Sequence, residues 1–285
     1  MNVREALANG SADLKSAGIE SSSLDASLLL AHVLNTTRTA LMAKGTDALT
    51  CDALAAFRAL IERRLNGECA AYILGRKEFM GLEFLVNKSV LVPRPETETL
   101  VETAINIINK RKTADFNCVL DLCTGSGAIA VSIKNKMPQL EVCVADICAQ
   151  ALETAKTNAA RLLPDTVIHF YQGDLYEALP PASQFSVIVS NPPYIPSEEI
   201  KTLAAEVQNE PRIALDGGHT GLEIIKRIIE SAPDYLLKGG TLLLETAGTK
   251  QTEKIAVLLE NRGFRNINTY KDLSGQERVI GGVYN

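Results

Sequence analysis

From residue 118 onward, short apolar runs alternate with longer amphipathic stretches, and this rhythm restricts the chain to a small set of folds. Residues 118–122, 141–145, 167–171, 186–190 and 241–245 read as strands. Residues 128–136, 149–163, 221–237 and 252–262 read as helices, with apolar side chains returning every three or four positions. Strands separated by helices pair in parallel, because each helix carries the chain back to the edge where the last strand began. A final pair of runs, near 266–270 and 278–283, has no helix between its members and is expected to close the sheet as an antiparallel hairpin. The expected fold is a doubly wound α/β sheet of seven strands.

The first part of the chain has no such runs. Leu7, Leu14 and Ala17, then Leu24, Leu28, Ala31 and Leu34, then Leu54, Phe57, Ile61 and Leu65 form helical stripes, and Gly18, Gly45 and Gly67 fall where those helices should stop. Asp25, behind three serines, and Thr50 mark expected helix starts. Residues 1–70 are therefore expected to form a small helical bundle. Residues 71–92 read as a linking hairpin about Gly81 that runs on into the extended Val90-Leu91-Val92. The α/β domain then occupies 93–285, opening with Pro93-Arg94-Pro95, which the pre-proline restriction keeps extended until a helix starts near Glu96. A chain of 285 residues has room for both.

Charge narrows the partners. The net charge of −5 arises wholly beyond residue 80, because the first 80 residues carry nine basic and nine acidic side chains. A protein that neutralises many phosphates carries basic excess, so extended binding to duplex DNA is not expected. Cys51, Cys69, Cys118, Cys123, Cys143 and Cys148 make no C-x-x-C pair, and only His32, His169 and His219 could add imidazole. No metal is expected, and the thiols are read as free, as in a reducing compartment. No apolar run nears the roughly 18 residues of a membrane span, and the start lacks a secretory pattern. The expectation is a cytoplasmic monomer without membrane contact.

Three motifs carry chemistry. In Asp121-Leu122-Cys123-Thr124-Gly125-Ser126-Gly127-Ala128, a strand ends in a glycine turn that opens a helix. Such a turn lets backbone approach a ligand and aims free N–H groups at an anionic one, although an empty strand-to-helix turn can share the spacing. Asp146 ends the next strand, where a carboxylate can accept both ribose hydroxyls of an adenosine or merely cap the following helix. Asn191-Pro192-Pro193-Tyr194 follows the fourth strand. Its prolines fix the backbone and remove donors, leaving the Pro192 carbonyl and the Asn191 side-chain oxygen as acceptors beside an aromatic ring. That arrangement suits a planar NH2 group, each hydrogen received by one oxygen and Tyr194 covering a face.

Together, the glycine turn, the acidic strand end and N-P-P-Y resemble the S-adenosylmethionine-dependent amino methyltransferases. With Val92-Pro93-Arg94-Pro95-Glu96-Thr97-Glu98 upstream, Ile195-Pro196 after the motif and the late Glu277-Arg278-Val279, the whole chain is similar to the HemK/PrmC family of protein-(glutamine-N5) methyltransferases. The resemblance implies a Rossmann-like sheet with a helical N-terminal domain, which is expected to dock the substrate because an isolated glutamine loop offers little contact area. It implies methyl transfer from S-adenosyl-L-methionine to the glutamine of the Gly-Gly-Gln loop in peptide chain release factors. Carried over, Cys123, Thr124, Gly125, Ser126 and Gly127 line the methionine end of the cofactor, Asp146 holds the ribose, and Asp174 and Leu175 flank the adenine. Asn191 touches cofactor and substrate, and Pro192, Pro193 and Tyr194 complete the glutamine site. The family usually has Gly where this chain has Cys123. Arg94, Glu96 and Glu98 stay open between pocket shaping and a solvated helix start.

A carboxamide nitrogen is a poor nucleophile, so the catalytic task is alignment, which can supply on the order of 7–11 kcal/mol. Acceptors on both N–H bonds also stabilise the charge that develops on nitrogen, and no strong base is needed before transfer. Four other readings compete. Methylation of a glutamine in a ribosomal protein would use the same motifs. N6-adenine DNA methylation would want a target-recognition segment and basic surface. A nicotinamide-dependent dehydrogenase would leave N-P-P-Y unexplained, and a non-enzymatic translation-factor binder would transfer no methyl group.

Overall fold

The computed structural model describes residues 1–111 and 117–285. Five helices come first: α1 (Val3–Ser16), α2 (Ser22–Val33), α3 (Arg38–Ala43), α4 (Cys51–Leu65) and α5 (Ala70–Leu74). Two short strands follow, β1 (Arg76–Phe79) and β2 (Leu82–Leu85), and then a 3-10 turn at Pro95–Thr97 leads into α6 (Glu98–Lys110). The alternating part begins with β3 (Cys118–Leu122), α7 (Ala128–Lys136), β4 (Glu141–Asp146), α8 (Ala149–Leu162), β5 (His169–Gln172) and β6 (Phe185–Ser190). It ends with α9 (Ala205–Gln208), α10 (Arg212–Leu215), α11 (Glu223–Tyr235), β7 (Leu236–Glu245), α12 (Thr249–Asn261), β8 (Arg265–Lys271) and β9 (Glu277–Tyr284).

The chain groups into two compact units, one of Met1–Arg76 with Ala204–Asn209 and one of Lys77–Leu203 with Glu210–Asn285. In the first, α1 starts on a reciprocal cap: Asn2 Oδ1 accepts from the Glu5 N–H at 2.8 Å and Glu5 Oε2 from the Asn2 N–H at 2.9 Å. Thr50 caps α4 by accepting from the Ala53 N–H at 3.2 Å. The helix start expected beside Asp25 is there: α2 begins at Ser22 with Ser21 at its N-cap, and Asp25 lies in the first turn. Asp25 turns inward from α2, is 5% exposed, and accepts from Arg64 Nε at 2.8 Å. Arg64, buried with it, also pairs with Glu206 of α9, and Asn209 Nδ2 donates to the Gly67 carbonyl at 2.9 Å. Polar pairing between residues 142 apart thus gathers Ala204–Asn209 into the helical unit, and this grouping differs from a boundary at residue 70 followed by an unbroken 93–285. Leu14, Leu29, Leu30 and Leu41 fill the core without solvent exposure.

In the second unit, β1 and β2 turn through Met80 and Gly81, both at positive φ, the pairing that suits a two-residue hairpin. The seven-stranded sheet has the order β5-β4-β3-β6-β7-β9-β8, parallel from β5 to β7, with β9 antiparallel to both of its neighbours. Successive side chains of a strand face opposite layers. Val119, Val187 and Val189 pack under α6, α7 and α8, while Leu120, Leu122 and Ile188 pack under α11 and α12. The winding runs from β3 out to β5, then returns to β6 on the other side of β3. Ligands of such sheets bind outside the strand ends at that reversal. Register sharpens the point: Leu122 pairs with Ala145 and with Ser190, and Ser190 with Leu244, so Cys123, Asp146, Asn191 and Glu245 occupy one level.

Candidate active site

A cavity of about 480 Å³ opens at this level of the second unit. Cys123, Thr124, Gly125 and Ser126 line it from the glycine turn, Asp146 and Leu175 from the neighbouring strand ends, and Asn191 and Pro193 from the N-P-P-Y loop. Gly127, Pro192 and Tyr194 are not among its lining residues. Gly127 has a packing role instead, because a Cβ there would lie 3.1 Å from Ala155 Cβ of α8 at a φ of +79°. Beside Gly125 the space is open, with no atom within 4 Å of where a Cβ would stand, so a side chain would project into ligand space. Cys123 has a φ of +59°, the left-handed region in which glycine carries no steric penalty, and here a thiol side chain bears it.

Asp121 is fully buried under the turn. Its Oδ2 accepts from Thr124 Oγ1 at 2.7 Å and from the Ala130 N–H at 3.3 Å, while Oδ1 has no partner among the described residues. Burial pushes its carboxyl up to about 7. Asp146 spends its oxygens on the same architecture: Oδ2 accepts from the Gly125 N–H and Oδ1 from the Cys148 N–H, both at 2.9 Å. Each oxygen keeps a second lone pair for a ligand hydroxyl. Burial raises this carboxyl too, against the pull of those N–H groups. Leu175, at a φ of +52°, follows Asp174, which pairs with Arg227 at 2.9 Å.

The N-P-P-Y loop is held from four sides. Asn191 Nδ2 donates to Thr97 Oγ1 at 3.2 Å. The Tyr194 hydroxyl donates to Glu245 Oε1 at 3.4 Å, and burial, ahead of the neighbouring Glu245 charge, pushes that phenol well up. Gln251 Nε2 donates to the Tyr194 carbonyl at 2.9 Å and to the Gly221 carbonyl at 3.1 Å. Gly221 itself is required, since a Cβ would stand 2.4 Å from the Tyr194 carbonyl oxygen. Of the open set upstream, Arg94 lines the cavity and pairs with the buried Glu210, which also takes the Val92 N–H at 3.0 Å. Glu98 Oε1 accepts from the Met80 N–H at 2.7 Å and so ties α6 to the hairpin.

Glu210, Glu245 and Gln251 belong to no motif read from the sequence, Gly221 enters only as a helix bound, and Thr97 only as a member of the Val92–Glu98 run. Glu245 leaves a signal there as an acid closing the apolar run Leu242-Leu243-Leu244. At the opposite end of the strands, donor atoms of Cys118, Glu141 and Cys143 lie within 4.8 Å of one another.

Comparison with known proteins decides the family. The family model described as PrmC N-terminal domain matches residues 5–75, and that described as Methyltransferase small domain matches 100–212. The release factor glutamine methyltransferase of Bordetella pertussis is 44% identical over 91% of this chain and 94% of its own. The chain belongs to the release factor glutamine methyltransferase family. A second member, from Vibrio cholerae, is 38% identical over 100% of this chain and 97% of its own. The sheet also superposes on the 16S rRNA N2 G1207 methyltransferase of Thermus thermophilus, solved with AdoMet and guanosine, at a TM-score of 0.53 and 19% identity over 74% of this chain and 50% of that one. That likeness is one of fold. Family membership makes the chain an S-adenosylmethionine-dependent protein-glutamine methyltransferase.

Proposed function

We propose that this chain methylates the side-chain amide nitrogen of the Gly-Gly-Gln glutamine in peptide chain release factors. The observation that carries the reading is the placement of Asn191, at the level of Cys123 and Asp146, on a cavity also lined by the glycine turn. The residues present fit S-adenosyl-L-methionine: an open cradle at Gly125, acceptor capacity at Asp146, and Leu175 with Ile147 as apolar walls. When bound, the cofactor supplies an electrophilic sulfonium methyl.

This chain's own residues would do the rest. Asn191 Oδ1 and the Pro192 carbonyl receive the two amide hydrogens, which orients the nitrogen lone pair and stabilises its developing charge. Tyr194 limits the remaining freedom of the planar group, with its hydroxyl anchored on Glu245. Because the reacting nitrogen sheds its proton only after transfer, no carboxylate within N-P-P-Y is needed.

In this reading the helical unit docks the intact factor, because an isolated glutamine loop offers little area for selection. One labelling experiment tests both parts. With labelled cofactor, an intact release factor should carry the label on its Gly-Gly-Gln glutamine by mass spectrometry, and Asn191→Ala and Tyr194→Ala should abolish transfer while still binding cofactor. Near-normal turnover in both variants would refute the site assignment. Equal kcat/KM for the intact factor and a Gly-Gly-Gln peptide would refute docking.

A further inference from the structure

We propose that Cys118, Glu141 and Cys143 form a zinc-binding site at the end of the sheet opposite the methyl-transfer cavity. None of the three takes part in the site described above. Spacing along the chain does not announce it, since no C-x-x-C is involved.

Sheet register brings the three together. Cys118 opens β3 and pairs with Glu141, the first residue of β4, while Cys143 lies two residues further along β4, opposite Leu120. Partners in a parallel pair share a face of the sheet, and so do residues two apart in one strand. All three side chains therefore belong to the face that Leu120, Leu122 and Ala145 present to the core. One donor atom from each, two sulfurs and a carboxylate oxygen, lies within 4.8 Å of the other two, and this is the one such group of three among the described residues. The backbone beneath is fixed: the Glu141 N–H donates to the Asn117 carbonyl at 2.9 Å, and the Cys118 N–H donates to Ser186 Oγ of β6 at 3.2 Å. Ligands on strands held in this way need little rearrangement to close on an ion.

Donor chemistry selects the ion. Two thiols on adjacent strands invite a disulfide, but a diagonal offset of two residues places their Cα atoms about 8 Å apart, beyond the roughly 7 Å that a disulfide spans. A tetrahedral metal asks for less: sulfur bonds of about 2.3 Å hold two thiolates about 3.8 Å apart around zinc. Thiolates favour soft and borderline ions while a carboxylate suits harder ones, so this mixed set selects Zn²⁺ over Cu(I) and over Mg²⁺ or Ca²⁺. Glu141 is exposed and Cys143 buried, so the ion enters from the solvent side past Glu141 and keeps a water as its fourth ligand. Binding involves no redox change. Each thiol gives up its proton as its sulfur bonds to zinc, two protons leave to solvent, and the ion stays divalent. The five residues of β3 separate the site from the glycine turn by roughly 16 Å, so the ion braces the starts of β3 and β4 and takes no part in methyl transfer.

The test uses the full-length, reduced, metal-free protein with saturating S-adenosyl-L-methionine, added to occupy the cavity that Cys123 and Cys148 line. Co²⁺ is the spectroscopic probe, and Zn²⁺ is titrated against a chromophoric chelator. The wild type should bind one Co²⁺ per chain with thiolate-to-cobalt charge-transfer absorption, and Zn²⁺ should displace it with a Kd at or below about 10 μM. Zn²⁺ should also raise the Tm, and its binding should tighten as pH rises, because protons are released. Cys118→Ala and Cys143→Ala should each weaken Zn²⁺ by about 100-fold or more, beyond what loss of a supporting partner costs, and Glu141→Gln by about tenfold. Cys51→Ser, which alters an exposed thiol of the helical unit, should change nothing. No charge-transfer band, a Kd weaker than about 10 μM, or equal Zn²⁺ affinity in the wild type, Cys118→Ala and Cys143→Ala would overturn the proposal. A loss in Cys51→Ser equal to that in Cys118→Ala means an adventitious ion only, and overturns it as well. If Cys143→Ala does not fold, unchanged affinity in both Cys118→Ala and Glu141→Gln overturns it.

Discussion

Replacing Asn158, which has no solvent exposure, by Ala should cost about 2–6 kcal/mol of stability and weaken cofactor binding. Its side chain makes three hydrogen bonds to backbone: Oδ1 accepts from the Leu85 N–H at 2.7 Å, and Nδ2 donates to the Leu85 carbonyl and the Ser126 carbonyl, each at 2.9 Å. One amide thus ties α8 to both the hairpin and the glycine turn. Ser126 is 3% exposed, so its carbonyl would be left without water, at about 1–3 kcal/mol. Leu85 is half-buried beside an open groove, so water can replace its two bonds and only their net value of about 0.5–1.5 kcal/mol each is at risk. Asn158→Asp should be worse than Asn158→Ala, because a carboxylate would face two carbonyl oxygens. Urea unfolding of both variants reads the stability, and calorimetric titration reads the cofactor affinity. A midpoint for Asn158→Ala corresponding to less than about 1 kcal/mol of loss, or an unchanged cofactor Kd, would refute the reasoning.

Two further outcomes follow from the buried carboxyls. Asp121 is raised to about 7 in the folded protein, so between its unfolded value of about 4 and 7 the folded state binds more protons, and stability should fall as pH rises through that window. Asp121→Asn should flatten part of this slope in unfolding midpoints taken at successive pH values; a slope unchanged by the substitution would count against it. Asp146→Asn keeps one acceptor but turns an NH2 toward either the Gly125 or the Cys148 N–H. Cofactor affinity should drop about tenfold or more, with release-factor binding held, and titration of each ligand would show otherwise if the turn does not depend on Asp146.

What could be read from sequence was whatever repeats or punctuates. Alternating apolar runs disclosed the seven-stranded sheet, and the glycine turn and N-P-P-Y located the strand ends where ligands bind. Three-and-four spacing disclosed the helical bundle. Isolated polar residues were opaque, since their meaning depends on partners far along the chain. Asn158 looks like one more polar residue in an amphipathic helix, yet its three bonds reach back 32 and 73 residues. Asp25 reads correctly as part of a helix start, yet nothing near it announces that Arg64, 39 residues later, pairs with it in the interior. Glu210 reads as surface charge and is 4% exposed, held to Arg94 and the Val92 N–H. Each of these is a long-range contact between side chain types that local pattern places outside.

The helical unit is built from two separated stretches of chain, Met1–Arg76 and Ala204–Asn209, with Arg64 gripping Asp25 from the first and Glu206 from the second. Such a unit cannot be transplanted as one cassette. Moving the N-terminal helices onto another sheet of this kind would leave Arg64 without its second acid unless six residues from between β6 and β7 travelled with them. Chimeras meant to redirect substrate choice therefore need two junction sets, and a single splice near residue 76 would sever the unit it was meant to carry.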